Sequence, residues 1–198
     1  MKLFSSPASP FVRKVMACAI AREVHERIMQ IPTAAGNSPP DLLAANPLSK
    51  VPCLITTDGV ALYDSPVICE YIDSLEGTLP LFPRSGGARW KALKLQALGD
   101  GMMDAAVLRR GESVRPVEDA RTANMNRQKA AIDRSLAVLE AELPHQTVDI
   151  GSIAIACALG YLDFRFGHEP WRDAHPKLAA WFAEFRQNAC IAQTEPAG

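Results

Sequence analysis

Three proline pairs in the first third of the chain carry its clearest chemical potential: Ser9-Pro10, Val51-Pro52 and Ser65-Pro66. Serine is a preferred N-cap. Proline is favoured at the first helical position, where its missing N–H would have no partner anyway. Each Ser-Pro pair therefore marks a helix start. There a hydroxyl sits where free backbone N–H groups and the positive end of the helix dipole converge, a place that stabilises anions, a thiolate among them. Asp64 precedes the second pair and adds an acidic group. Val51-Pro52 heads an apolar run, where a proline is either an edge residue or a cis turn. Taken singly, each feature reads as structural. Together, two anion-binding helix ends and one acid suit a zwitterionic peptide with several carboxylates.

The elements that must position these residues alternate in type. Residues 2–5 read as a strand, and 11–24 as a helix, with Val12, Val15, Met16, Ala19 and Ile20 recurring at helical steps. Residues 27–31 read as a second strand, followed by a loop over 32–40 rich in Ala, Gly, Asn and Pro. Strands over 53–57 and 60–63 flank Asp58-Gly59, a strong hairpin signal. The helix opened by Ser65-Pro66 carries Val67, Ile68, Tyr71, Ile72 and Leu75 as its stripe. The order β-α-β-α-β-β-α implies a small α/β unit with a mixed sheet.

The punctuated segment 77–87 reads as a linker between a domain over 1–76 and a helical one over 88–198. Helices are expected over 88–111, 117–143 and 150–166. A fourth is marked by Leu178, Trp181, Phe182 and Phe185. Ala97, Gly101 and Ala105, four apart, suit either close packing within the bundle or a subunit contact.

Composition narrows the classes. A formal net charge of −1, without blocks of like charge, argues against nucleic acid and anionic membrane as partners. No apolar leader is visible at the start, and the apolar run over 150–162 is too short for a bilayer and reads as a buried helix. Five cysteines at long spacings, without a C-x-x-C, suit buried free thiols in a reducing cytoplasm. The histidines form no ligand spacing, so no metal is expected.

The chain resembles the cytosolic glutathione transferases, particularly small serine-type bacterial members. The resemblance rests on S-P-F-V-R-K-V from Ser9, N-P-L-S-K-V-P from Asn46 and L-Y-D-S-P-V-I-C-E-Y-I from Leu62. It continues in D-G-M-M-D from Asp100, S-I-A-I-A-C-A-L-G-Y-L from Ser152 and the closing T-E-P.

This resemblance implies a thioredoxin-like βαβαββα domain followed by an all-helical one, with glutathione as co-substrate and a homodimer as the assembly. It implies that the Ser9 hydroxyl donates to the glutathione sulfur. Redox relatives keep the first Cys of C-P-x-C at that place, so thiolate stabilisation is expected here and disulfide exchange is not. A free thiol has a pKa of about 8.5. A charge-assisted hydrogen bond of about 1.5–3 kcal/mol could lower it by roughly one to two units. Val51-Pro52 matches the cis-proline turn, where the Val51 backbone pairs with the cysteinyl part of glutathione. Lys50 would face the glycyl carboxylate, or be a solvated loop lysine. Asp64 and Ser65, with Ser65 as cap, match the pair that holds the γ-glutamyl amine and carboxylate. Phe11 joins the binding residues, and Asp104 would reach the γ-glutamyl amine of the neighbouring subunit or face solvent. The electrophile pocket would draw on Phe11, Met102, Met103 and Leu108.

Asp149 and Ser152 fit an N-cap and N3 pair, with Val148 and Ile153 as a hydrophobic staple. Relatives usually carry Asp at N3. The expected activity is addition of the glutathione thiolate to a small hydrophobic electrophile. A peroxidase, isomerase or dehalogenase on the same fold, or a non-catalytic interaction module, remains an alternative.

Overall fold

The computed structural model of the chain describes residues 1–34, 38–76 and 80–197. Strand β1 (Lys2–Ser5) lies at the centre of a sheet of order β2-β1-β3-β4. It runs parallel to β2 (Met29–Pro32) and antiparallel to β3 (Cys53–Ile55), which pairs with β4 (Ala61–Leu62). Leu3 faces Gln30 on one side and Leu54 on the other, so the strand that delivers the chain to Ser9 is held from both flanks. Helices α1 (Pro10–Ala21) and α3 (Ser65–Ser74) cover the sheet, and the short α2 (Pro40–Ala45) leads into the Val51 loop.

Several strand and helix ends differ from the sequence reading. Helix α1 stops at Ala21 rather than 24, because Glu23 turns left-handed (φ 58°) and the Val24 N–H returns to the Ala19 carbonyl. That is a C-terminal cap built without the usual glycine. The strand expected over 27–31 begins at Met29, since His25–Arg27 form a 3₁₀ turn. The hairpin strands are shorter than expected because the turn begins at Thr56. Its hydroxyl bonds Asp58 and both backbone groups of Val60, and Gly59 supplies the positive φ of 86°.

The helical half comprises α4 (Gly86–Ser113), α5 (Asp119–Ala141), α6 (Ile150–Phe166), α7 (Pro176–Phe185) and the short α8 (Ala189–Ala192). Helix α6 is buried on all sides from Ile150 to Leu162, as its uninterrupted apolar run demands. Its start is a complete capping box. The Asp149 carboxylate accepts the Ser152 N–H at 2.8 Å, and the Ser152 hydroxyl accepts the Asp149 N–H at 2.9 Å. Serine at N3 therefore does the work expected of an acid.

A glycine outside the Ala97, Gly101 and Ala105 spacing lets α4 and α6 approach. A Cβ on Gly99 would stand 2.7 Å from the Ala154 carbonyl carbon. Ala97 and Gly101 are exposed, and a Cβ on Gly101 would meet nothing within 4 Å, while Ala105 is buried. Part of the 77–87 segment lies outside the described residues. The described remainder is anchored: the Leu81 and Phe82 N–H groups donate to the Asp73 carboxylate, and the Leu81 carbonyl accepts the Ile150 N–H. All five cysteines are buried and free. Among the described residues no helix is long and apolar enough to cross a membrane.

Candidate glutathione site

Ser9 is the N-cap of α1, in extended conformation (φ −84°, ψ 120°), with Pro10 at the first helical position. Its Oγ accepts the Val12 N–H at 3.3 Å, and its carbonyl accepts the Arg13 N–H at 3.0 Å. An oxygen that accepts in this way still has its own proton to donate. The hydroxyl thus presents a donor at the positive end of a helix.

The second Ser-Pro start is built differently. Asp64, not Ser65, is the N-cap of α3; the Asp64 carbonyl takes the first helical bond, from Ile68 at 3.1 Å. Ser65 is the first helical residue and is 1% exposed. The expected cap thus shifts by one residue. Its consequence is chemical: the Asp64 carboxylate makes no capping bond and stays exposed, while Ser65 offers a main-chain N–H that the helix itself leaves unpaired.

The Val51–Pro52 peptide is cis, as is Tyr63–Asp64. The loop before Val51 is organised by Asn46, which sequence reading passed over. Its side chain donates to the Lys50 carbonyl at 2.9 Å and accepts the Leu48 N–H at 3.0 Å. An Asn-Pro pair opening a turn was the available signal. Val51 is half-buried, Pro52 is buried and Lys50 is exposed.

Helix α4 closes the charge pattern. Asp104 lies exposed on α4; partial desolvation raises its carboxyl above the usual range, Lys50 and Lys14 oppose the rise, and Asp64 adds to it. Lys50, Asp64 and Asp104 of one chain therefore share an electrostatic neighbourhood. Burial likewise raises Asp100, against the pull of Lys14, with Asp104 and Asp64 adding to the rise. Lys14 itself is fully buried and bonds both Asp100 oxygens, at 2.5 and 2.7 Å. Phe11 is half-buried and Leu108 exposed. Met102 and Met103 are core residues with no surface to offer a ligand, which corrects their assignment to an electrophile pocket: they lie on the buried face of α4. Among the described residues no cluster suited to a metal ion occurs.

Residues 8–75 match the family model for the glutathione S-transferase N-terminal domain, and residues 122–184 that for the C-terminal domain. The chain is 37% identical over 202 residues to the uncharacterized GST-like protein YibF of Escherichia coli (strain K12), covering 99% of this chain and 98% of that protein. A glutathione transferase family member from Pseudomonas fluorescens Pf-5, solved with bound glutathione, superposes with a TM-score of 0.93 at 41% identity, covering 100% of this chain and 99% of that one. A second structure from that organism, with bound S-(propanoic acid)-glutathione, gives 0.89 at 43% identity over the full length of both chains. A glutathione S-transferase from Methylobacillus flagellatus KT with glutathione bound gives 0.86 at 32% identity over 99% of each. With a mixed four-stranded sheet carrying a Ser-capped helix, a cis-proline loop and a helical second half, the chain belongs to the glutathione S-transferase family.

Proposed function

We propose that this protein is a glutathione transferase in which Ser9 stabilises the glutathione thiolate for attack on a small electrophile. The observation that carries the reading is the Ser9 hydroxyl, which accepts from Val12 and so keeps its proton for a sulfur outside the helix. The thiol proton leaves to solvent. The thiolate, held by the Ser9 O–H and the dipole of α1, then forms a carbon–sulfur bond as the electrophile gives up a leaving group or takes a proton. The Val51 main chain would pair with the cysteinyl part, Pro52 shaping the turn, and Lys50 would meet the glycyl carboxylate. Asp64 and the Ser65 N–H would hold the γ-glutamyl amine and carboxylate, with Phe11 against the ligand. Asp104 would act across a homodimer on the partner's glutathione.

A Pseudomonas fluorescens Pf-5 family member at 43% identity binds S-(propanoic acid)-glutathione. An S-alkylated glutathione is the class of product this reading assigns to the present chain, and it favours alkyl transfer over peroxide chemistry.

The test is Ser9→Ala, assayed with a chloroarene or acrylate acceptor. The kcat should fall about tenfold to a hundredfold, matching the loss of one to two units of thiol acidification. The KM for glutathione should change little, and the thiolate absorbance of the bound tripeptide should titrate at higher pH. An unchanged rate and titration would remove Ser9 from the mechanism.

A further inference from the structure

The C-terminal ends of α4 and α6 reach the level of Ser9 side by side. A Cβ on Gly151 would meet Ala92, one on Gly99 would meet Ala154, and the Arg109 guanidinium lies 4.5 Å from the centre of the Phe166 ring, so the two helices are parallel. Helix α1 runs the other way along them. Cys18 lies in the field of Cys157, whereas Arg13 packs on Gly160. Ser9, one turn before Arg13, therefore stands level with α6 beyond Gly160, and with α4 beyond Asp100, which bonds Lys14.

Two arginines occupy that level. Arg165 is three turns on from Ala154, on the side of α6 that meets α4. Arg110 is three turns on from Gly99, rotated towards the side on which Asp100 meets α1. Tyr161, 5% exposed, feels both: burial raises its phenol above the usual range, and Arg165 and Arg110 oppose the rise. Arg165 is half-buried, with Nε enclosed, and Arg110 is exposed.

Neither arginine has a carboxylate partner among the described residues. The Arg165 guanidinium lies over the Phe164 ring, 4.0 Å from its centre, and Arg110 donates to the Ser113 hydroxyl at 3.0 Å. The acids close by in sequence are engaged, Glu112 with Arg115, Asp163 with Arg172 and Glu169 with Arg109. Asp104 lies in the field of Lys50 and Asp64. Two positive charges are thus left over at the level of the proposed sulfur.

We infer that the electrophile taken beside Ser9 carries a carboxylate, which Arg165 and Arg110 receive. The inference rests on the transferase reading, since Ser9 sets where the sulfur lies. Attack brings two anions together, the thiolate and the carboxylate, and the two guanidinium groups offset that repulsion. The carboxylate itself makes no bond. With a chloroarene the carbon–sulfur bond forms as chloride leaves, and the thiol proton has gone to solvent.

The experiment compares 4-chloro-3,5-dinitrobenzoate with 4-chloro-3,5-dinitrobenzamide at saturating glutathione, each kcat/KM divided by the uncatalysed rate. The benzoate should be favoured about tenfold, chiefly through KM. Arg165→Met should lower that preference about tenfold and Arg165→Lys much less. Arg110→Gln, at an exposed position that does not endanger folding, should lower it about threefold. The inference is overturned if the two acceptors are used alike, or if neither Arg165→Met nor Arg110→Gln alters the preference. If neither acceptor is turned over, the transferase reading falls, and calorimetry with the conjugates then decides. S-(4-carboxy-2,6-dinitrophenyl)glutathione binding about tenfold tighter than its carbamoyl counterpart supports the arginine site, and equal affinities overturn it.

Discussion

The Lys14 ammonium lies within 2.7 Å of both carboxylate oxygens of Asp100, joining the helix that Ser9 caps to α4 through a pair whose cation is wholly buried. Removing one partner of such a pair strands the other charge, and the cost is typically about 3–5 kcal/mol. Lys14→Met should therefore lower stability by about that amount in urea unfolding at neutral pH. The double variant Lys14→Met/Asp100→Leu should recover most of it, since two apolar side chains leave no orphaned charge. A double variant as unstable as the single one would show that packing, not pairing, fixes Lys14.

Asp104 gives a prediction about pH. Partial desolvation, opposed by Lys50 and Lys14 and reinforced by Asp64, lifts its folded pKa above the ordinary value of the unfolded chain. The folded chain then holds this proton more tightly than the unfolded chain. The associated stabilisation is present at low pH and is lost as pH rises from the unfolded value through the raised one. Asp104→Asn cannot ionise. Its stability relative to the wild type should grow across that window and level off above it, in urea unfolding from about pH 3.5 to about pH 7.5. A difference that shrinks with rising pH would reverse the sign.

Two glycines two residues apart on α4 should respond oppositely to the same change. At Gly99 an added Cβ meets the Ala154 backbone at 2.7–2.8 Å, so Gly99→Ala should cost about 1–3 kcal/mol or more as α4 and α6 are forced apart. At Gly101 nothing lies within 4 Å, and Gly101→Ala should stabilise the helix by about 0.5–1 kcal/mol. Thermal unfolding of the pair at matched concentration separates them. Loss of stability in both would place an unseen neighbour at Gly101.

Ser9→Cys should convert the site to redox chemistry. The new thiol would sit at a helix N-terminus, where thiol pKa values fall. Its thiolate would attack glutathione disulfide, forming a mixed disulfide and releasing one glutathione thiolate. Intact-mass analysis should show one adduct per chain. The wild type should show none, since all five native thiols are buried and burial holds Cys157 up at about 12 and Cys18 well above its usual range.

Much of this architecture was legible because local rules and the global fold agree. Lys2–Ser5 and Ile150–Phe166 fall where their patterns place them. Legibility failed where a residue's type contradicts its environment. Arg13 and Lys14 sit on the polar side of an amphipathic pattern, yet α1 is covered on that side too, by α4, α6 and α8. Nothing in S-P-F-V-R-K-V distinguishes a solvated lysine from one paired with an aspartate 86 positions away. The end of α1 was similarly hidden, because Glu23 takes a conformation that sequence assigns to glycine. Asn46 could have been found from its Asn-Pro turn, but its role lies in two hydrogen bonds that only the folded loop shows.

The one-residue offset between the two Ser-Pro starts has a consequence for genetics. At Ser9 the chemistry belongs to a side chain and a single codon change can erase it. At Ser65, and at Val51, what the ligand would meet is main chain, which every substitution but proline preserves. An alanine scan of this site would thus report Ser9 and Asp64 loudly and stay nearly silent about half of the proposed grip. Selection on this pocket would be visible at Ser9 and Asp64 and concealed at Ser65 and Val51.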